Sequence, residues 1–189
     1  KRPLGIPVIK DRVVQMAAKL VMEPIFETNF LPCSYGFRPE RDAPMALREI
    51  QRVITFQGQT IVVDADIRSY FDRIPHQPLL NLVRRRISDP RMIKLIKGWL
   101  EAGVMDEGVH IPSDGVGAPQ GSVISPLLSN IYLHAFDKMW AQSALPGTLV
   151  RYCDDFVILL HPKSDRQWIL QQVRGLLGRL GLELHPEKT

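Results

Sequence analysis

The chain has 189 residues, of which 45% are hydrophobic and 23% charged, and its formal net charge is +4. This composition excludes an intrinsically disordered chain and predicts a folded domain with a substantial core. The excess of Lys and Arg suits a polyanionic partner, and an ordinary, mildly basic domain fits it equally well.

Membrane insertion and secretion are both unsupported by the sequence. No apolar run reaches the roughly 18 residues of a transmembrane helix, and no signal-like segment opens the chain. Cys33 and Cys153 fit no metal-binding or redox spacing, so we predict that both are reduced packing residues. We therefore expect a cytoplasmic protein with no membrane partner.

The N-terminal part of the chain is predicted to be helical. Apolar residues at helical spacing predict a helix over residues 10–29, which Pro24 ends or kinks. Prolines and small residues predict a loop over residues 32–39, and a second helix follows over residues 42–54, with Asp42 as its N-cap. Gly58 marks the predicted end of this part of the chain.

An apolar strand predicted over residues 60–66 ends in acidic residues. Asp64 and Asp66 are two positions apart, so strand alternation puts both on one face and does not choose between them. Start signals and apolar spacing further downstream predict helices over residues 75–87, 90–100, 126–142 and 164–180, an irregular hairpin over residues 103–117 and a last strand over residues 182–184.

Two adjacent aspartates, Asp154 and Asp155, lie between two runs of strand-forming residues, 148–152 and 156–160, which predict a hairpin with the aspartates at its tip. Like charges this close repel each other, and a hard cation such as Mg²⁺ relieves the repulsion. An ordinary Asp-rich turn is the alternative, because Asp favours turns for backbone reasons. With the helices, this hairpin predicts an α+β fold in which helices back one face of an antiparallel sheet.

The acidic segments resemble two motifs of reverse transcriptases. Residues 66–72, Asp-Ile-Arg-Ser-Tyr-Phe-Asp, are similar to the first catalytic motif. Tyr152-Cys153-Asp154-Asp155 resembles the Tyr-x-Asp-Asp box, with Cys where Ala is usual in the group II intron type. Four further blocks, in the expected order, resemble the bacterial group II intron type, at residues 2–7, 34–39, 118–126 and 181–189. Each block alone is a weak signal, so the resemblance depends on their joint, ordered occurrence.

The resemblance implies a polymerase palm over residues 59–189, a partial helical fingers region over residues 1–58 and no thumb. It implies an RNA-directed DNA polymerase of a bacterial retroelement, with an RNA template, a DNA primer, deoxynucleoside triphosphates and intron RNA as partners. Two alternatives stay open. One is an RNA-directed RNA polymerase on the same palm, and the other is an RNA-binding maturase, a splicing cofactor whose polymerase site is vestigial.

The resemblance also assigns roles to residues. Asp66 and Asp154 would bridge two Mg²⁺ ions, or Mn²⁺ in their place, with help from the Ile67 carbonyl, and Asp155 would have a lesser catalytic role. The implied nucleotide contacts are Phe71, Gln120, Gly121, Arg68 and Arg2, and the implied nucleic-acid contacts are Arg38 and Tyr152.

Three of these regions also have ordinary structural interpretations. Phe71 lies five residues after Asp66, where the family carries an aromatic ring that excludes a ribose 2′-hydroxyl, and its alternative is a core residue. Gln120 could equally be a turn residue. The run at residues 84–86, three arginines, is a candidate phosphate contact, although such a run is more often a solvated helix face.

Overall fold

The computed structural model describes residues 5–106, 108–119 and 121–186. Within these ranges the helices are α1 (Ile9–Glu27), α2 (Ala43–Gln57), α3 (Tyr70–Arg73), α4 (His76–Arg84), α5 (Pro90–Glu101), α6 (Ser125–Gln142) and α7 (Arg166–Gly178). The strands are β1 (Ile61–Asp66), β2 (Val104–Asp106), β3 (Val109–Ile111), β4 (Thr148–Tyr152) and β5 (Asp155–Leu160). None of the described helices is long and apolar enough to span a bilayer.

A three-stranded antiparallel sheet in the order β1-β5-β4 confirms the predicted α+β class. The central strand, β5, pairs with β4 across a tight turn and with β1 from much earlier in the chain. Ile61 opposes Leu160 at one end of the β1–β5 ladder, and Asp66 opposes Asp155 at the other. This register brings the acidic end of β1 beside the acidic hairpin tip.

Helices cover both faces of this sheet, whereas the sequence predicts helices on one face only. Val150 and Leu159 pack with Val53 of α2 in a buried cluster on the first face. Side chains alternate along a strand, so Phe156 points to the opposite face, where its ring lies 5.3 Å from that of Phe136 in α6. The apolar run of β5 is therefore buried on both sides, as in the centre of a layered fold.

The backbone divides into two compact units that do not follow chain order. The first unit is the described part of residues 1–29 and 69–132, and the second is the described part of residues 30–68 and 133–189. Gly58, the predicted boundary, lies inside the second unit as the C-cap of α2, with a φ of 64°. The division into fingers and palm therefore stays a prediction.

The predicted helix starts agree with the structure at two N-caps. The Asp42 carboxylate accepts a hydrogen bond from the Met45 backbone nitrogen at 2.7 Å. Asp89 accepts one from the Arg91 nitrogen at 2.8 Å. Pro24 lies within α1 and does not end it.

Two short segments differ from the prediction. Helix α3 was not predicted, because four residues are too few to show a helical period. The predicted strand over residues 182–184 is reduced to a single bridge between Leu184 and Ile67.

Arg151 is fully buried although it carries a charge. Its Nε and Nη2 donate to the two carboxylate oxygens of Asp137 in α6, at 2.8 and 2.6 Å. Its Nη1 donates to the Cys153 carbonyl oxygen and its Nη2 to Ser34 Oγ, both at 2.8 Å. A buried charge is tolerated only when it is paired and hydrogen-bonded, so this guanidinium ties together α6, the hairpin tip and the loop around Ser34.

His134 is a half-buried polar residue of α6. Both of its ring nitrogens are shielded from solvent with no hydrogen-bond partner in the part of the chain that the structure describes. The ring makes an edge contact with Phe30, with centroids 5.5 Å apart. Burial lowers the pKa of His134 from 6.5 to about 4, because the apolar surroundings disfavour the charged imidazolium.

Removal of one partner of the buried ion pair is expected to destabilise the protein strongly. Asp137→Ala leaves the Arg151 charge buried without its carboxylate, so we expect the free energy of unfolding to fall by about 3–5 kcal/mol in urea denaturation of the full-length protein. The control is Glu49→Ala, which breaks an exposed pair with Arg52 and should cost no more than about 1 kcal/mol. Equal losses in the two variants would contradict a structural role for the buried pair.

We expect His134 to account for part of the protein's acid sensitivity. The unfolded chain takes up this proton near pH 6.5 and the folded chain only near pH 4, so stability falls as the pH drops through that window and is unaffected above it. His134→Leu should flatten this part of a Tm profile against pH, and His161→Leu, at an exposed position, should not. A His134→Leu profile that keeps the slope of the wild type would refute this origin.

Candidate active site

Asp66, Asp154 and Asp155 lie at one end of the three-stranded sheet. Asp66 is the last residue of β1 and directly opposes Asp155, the first residue of β5. Directly opposed residues project to the same face of an antiparallel sheet, so the Asp66 and Asp155 side chains share a face. Asp154 lies beside them in the two-residue turn between β4 and β5. Asp66 is 9% exposed, Asp154 is half-buried and Asp155 is exposed.

The turn that carries Asp154 is held by backbone contacts. Cys153 has a φ of 59°, a left-handed conformation that costs energy for a non-glycine residue. The neighbouring loop extends the sheet, because the Tyr35 nitrogen donates to the Arg151 carbonyl at 2.9 Å and the Arg151 nitrogen donates to the Cys33 carbonyl at 2.8 Å. A Cβ on Gly36 would lie 2.5 Å from the Cys153 nitrogen and closer still to its Sγ. Only glycine fits at this contact.

The two cysteines near the turn are free thiols. Burial raises the pKa of the Cys153 thiol to about 12, and the negative charge of Asp154 adds to the effect. Burial likewise raises the pKa of Cys33 to about 12. Both thiols are therefore neutral at physiological pH, so neither is an activated nucleophile beside the carboxylates.

The end of β1 is also held on its other side, by residues 183–185. The His185 nitrogen donates to the Asp66 carbonyl oxygen at 2.8 Å, and the Arg68 nitrogen donates to the Glu183 carbonyl oxygen at 2.9 Å. The Ile67 side chain is 1% exposed. The Arg68 guanidinium and the Glu183 carboxylate form an exposed ion pair at 3.8 Å. The roles of the Ile67 carbonyl and the Arg68 side chain stay predictions.

The three carboxylates suit a hard divalent cation in their chemistry, because they offer only oxygen ligands. Across residues 5–106, 108–119 and 121–186, no three His, Cys, Asp or Glu side chains form a ready-made metal cluster. Mg²⁺ sites that act on phosphates use one or two carboxylates and take further oxygens from substrate and water. The residues present therefore fit an ion that binds together with a nucleotide.

Phe71 belongs to the first unit, where its segment is paired with the loop before position 120. The Phe71 carbonyl oxygen accepts a hydrogen bond from the Ala118 nitrogen at 2.7 Å, and its ring lies 5.4 Å from that of Tyr70. His76 Nε2 lies 2.6 Å from the Gly117 carbonyl oxygen. These contacts fix the path of the loop alongside Phe71.

The segment after position 120 is anchored by Gln15 of α1. Gln15 is 3% exposed, and its Oε1 accepts hydrogen bonds from Ser122 Oγ at 2.9 Å and from the Val123 nitrogen at 3.0 Å. Gly121 has a φ of 99°, which glycine adopts without strain. The buried Gln15 side chain thus holds the backbone of residues 122–123 in place, directly after the predicted nucleotide contact Gly121.

The other predicted contacts differ in their surroundings. Arg38 is 8% exposed, and its Nη1 donates to two carbonyl oxygens of its own loop, both at 2.8 Å. This position gives Arg38 a structural role, and its nucleic-acid contact stays a prediction. Tyr152 is 40% exposed at the end of β4, within reach of a ligand. Arg2 and Gln120 lie outside the described residues.

Sequence reasoning missed three buried residues: Asp137 and Arg151, which hold the hairpin tip, and Gln15, which holds the segment after position 120. Each is a polar residue within an apolar helix or strand pattern, and the structure buries all three. A polar residue in an apolar pattern needs a partner, and that need is the signal that could have identified them. The partners themselves come from distant parts of the chain, so the sequence pattern could not name them.

Comparison with known proteins covers the whole chain. The family model described as reverse transcriptase (RNA-dependent DNA polymerase) matches residues 1–189. The chain is 39% identical to Protein YkfC of Escherichia coli (strain K12), over 100% of this chain and 58% of that protein. It is 32% identical to the group II intron-encoded protein LtrA of Lactococcus lactis subsp. cremoris, over 100% of this chain and 41% of that protein. The chain therefore spans about half the length of these relatives.

Solved structures show the same fold. Telomerase from Candida albicans in complex with a fragment of telomeric RNA matches with a TM-score of 0.61, at 13% identity, over 94% of this chain and 33% of that one. A partial Cas6-RT-Cas1–Cas2 complex matches with a TM-score of 0.53, at 28% identity, over 94% of this chain and 31% of that one. The telomerase likeness supports the polymerase palm fold alone.

Because the family match covers every residue and curated relatives share 39% and 32% identity across the whole chain, this chain belongs to the reverse transcriptase (RNA-dependent DNA polymerase) family.

Proposed function

We propose that this chain carries the catalytic centre of an RNA-directed DNA polymerase from a group II intron-like retroelement or a related bacterial system. The polymerase would add deoxynucleotides to a primer 3′-hydroxyl on an RNA template. The pairing of Asp66 with Asp155, with Asp154 in the adjoining turn, is the observation that carries this proposal. Family membership and the likeness to a group II intron-encoded protein support it.

Asp66 and Asp154 would hold two divalent cations, Mg²⁺ or Mn²⁺, with the Ile67 carbonyl assisting and Asp155 in a lesser role. Such ions, when bound, lower the pKa of the 3′-hydroxyl and offset the charge of the triphosphate and the leaving pyrophosphate. Pairing with Asp155 of β5 on one side, and the hydrogen bond from the His185 nitrogen on the other, hold the Asp66 backbone in position before any substrate binds. Preorganised charges of this kind need little rearrangement during the reaction, which is why they accelerate it.

The family pattern supplies the remaining roles in this proposal. The residues that would contact the nucleotide are Arg2, Arg68, Phe71, Gln120 and Gly121, and those that would contact the nucleic acid are Arg38 and Tyr152. Intron RNA is a proposed further partner, supported by the likeness to LtrA.

Primer extension on an RNA template tests the proposed metal site. With full-length protein, Mg²⁺ and deoxynucleotides, we expect Asp66→Asn and Asp154→Ala each to reduce the rate by about 10³-fold or more, because several kcal/mol of transition-state stabilisation is lost. Asp155→Ala should cost less than either. The matched control is Asp64→Asn, an exposed carboxylate on the same face of β1, which should extend at close to the wild-type rate.

Two results of this experiment would count against the proposal. A loss in Asp64→Asn as large as that in Asp66→Asn would remove the special role of Asp66. If the wild type extends no primer with any divalent metal, the polymerase proposal fails, and the RNA-binding splicing cofactor becomes the favoured function.

Phe71 is expected to select deoxynucleotides over ribonucleotides. Phe71→Val removes the ring that would meet a 2′-hydroxyl, so incorporation of ribonucleotides relative to deoxynucleotides should rise about tenfold or more. The control is Tyr70→Phe, which removes a buried hydrogen bond to the Ser129 carbonyl and should affect both kinds of nucleotide alike. Unchanged selectivity in Phe71→Val would leave Phe71 as a packing residue.

A further inference from the structure

The α4–α5 region concentrates the positive charge of the chain. Residues 84–101 contain six Lys or Arg and two acidic residues, a surplus equal to the whole formal net charge of +4. The remaining residues are therefore neutral in sum. All six cations are exposed, namely Arg84, Arg85, Arg86, Arg91, Lys94 and Lys97. A localised surplus of this kind attracts a polyanion to one surface.

Helix α5 buries one apolar side and leaves its charged residues exposed together with Leu95. Ile93, Ile96 and Leu100 are buried, and α5 packs against α4. Because these apolar side chains are already buried, they are unavailable for insertion into a membrane. The outer face of α5 carries exposed cations, which suit a water-soluble anionic ligand.

An open recess of about 470 Å³ lies on that outer face, lined by Arg91, Lys94, Leu95, Gly98 and Trp99. These positions follow helical spacing, so they share one side of α5. Gly98 adds no side chain to this surface, and a Cβ built there would meet no atom within 4 Å apart from its chain neighbours and the backbone of its own helix. We call this feature the α5 recess.

The α5 recess combines cationic side chains with an aromatic ring, and both kinds of group bind single-stranded nucleic acid. Arg91 pairs with Asp89 at 3.0 Å, but its side chain is 89% exposed, and such an exposed pair is weak and exchanges readily for another anion. Trp99 offers a half-buried ring on which a base can stack. Cations and an aromatic ring together match the phosphates and bases of an unpaired strand.

We propose that the α5 recess binds single-stranded RNA, with Arg91 and Lys94 on backbone phosphates and Trp99 stacked on an unpaired base. The exposed arginines at residues 84–86 lie a few positions before α5 in the chain. This inference rests on the proposed RNA partner and adds a second RNA contact, in the first unit, which is not part of the carboxylate site. An acidic peptide could also pair with these cations. It has no base to stack on the Trp99 ring, so a nucleic acid fits the recess better.

RNA binding can be measured separately from polymerisation in full-length Asp154→Ala protein. The probe is a fluorescently labelled single strand of about 20 nucleotides, read by anisotropy in about 0.1 M salt. Arg91→Glu with Lys94→Glu should weaken binding by about tenfold or more and reduce the slope of log affinity against log salt by about 1.4. Trp99→Ala should weaken binding by about tenfold, and Trp99→Phe should restore most of it because a phenyl ring still stacks.

Helix α7 supplies controls matched in charge and residue type. Arg166→Glu with Arg174→Glu makes the same charge change at exposed positions, and Trp168→Ala removes an exposed ring. We expect these variants to bind the single strand with close to the parent's affinity. Equal losses in the α5 and α7 variants, or an unchanged affinity in Trp99→Ala, would overturn the inference.

Two further measurements separate this inference from the polymerase proposal. The α5 variants with Asp154 restored should still extend a short primer–template, because they leave the carboxylate site intact. A protein that extends primers without α5-dependent RNA binding overturns this inference alone. A protein that shows α5-dependent binding and extends nothing overturns the polymerase proposal alone.

Discussion

The hydrogen bonds of the buried Arg151 guanidinium are the interactions on which the carboxylate end of the sheet depends. The guanidinium binds the Asp137 carboxylate, the Cys153 carbonyl and the Ser34 hydroxyl from a position with no solvent exposure. Each of these groups comes from a different segment, and the charge is stable inside the protein only when they surround it together. The hairpin tip is consequently fixed in place only in the complete fold.

The backbone fixes the positions of the residues that carry the three carboxylates. Asp66 is aligned by the β5 ladder on one side and by the His185 nitrogen on the other. Asp154 shares its two-residue turn with Cys153, whose backbone is in a strained, left-handed conformation. Rigid strands hold reacting groups more precisely than mobile loops do. The fold thus keeps like charges close together, and a bound cation would relieve their repulsion.

Local patterns were sufficient to predict the longer helices and the acidic hairpin, although the turn is formed by Cys153 and Asp154 and Asp155 already belongs to β5. The caps at Asp42 and Asp89 depend on neighbours two or three residues away, so the sequence contains what is needed to find them. The side of the sheet that α2 covers and the partner of Arg151 depend on contacts between distant segments. No local period encodes such contacts, so these features could not be predicted.

The contact between Gly36 and Cys153 links two positions that are far apart in the chain, for two different physical reasons. Position 36 has no room for a side chain, because the Cys153 nitrogen and sulfur occupy that space. Position 153 has a left-handed backbone, which disfavours β-branched residues. The volume available restricts the choice of residue at position 36, and the backbone conformation restricts it at position 153. Among natural variants position 36 should therefore remain glycine whichever residue occupies position 153, although neither position binds substrate in the proposed mechanism.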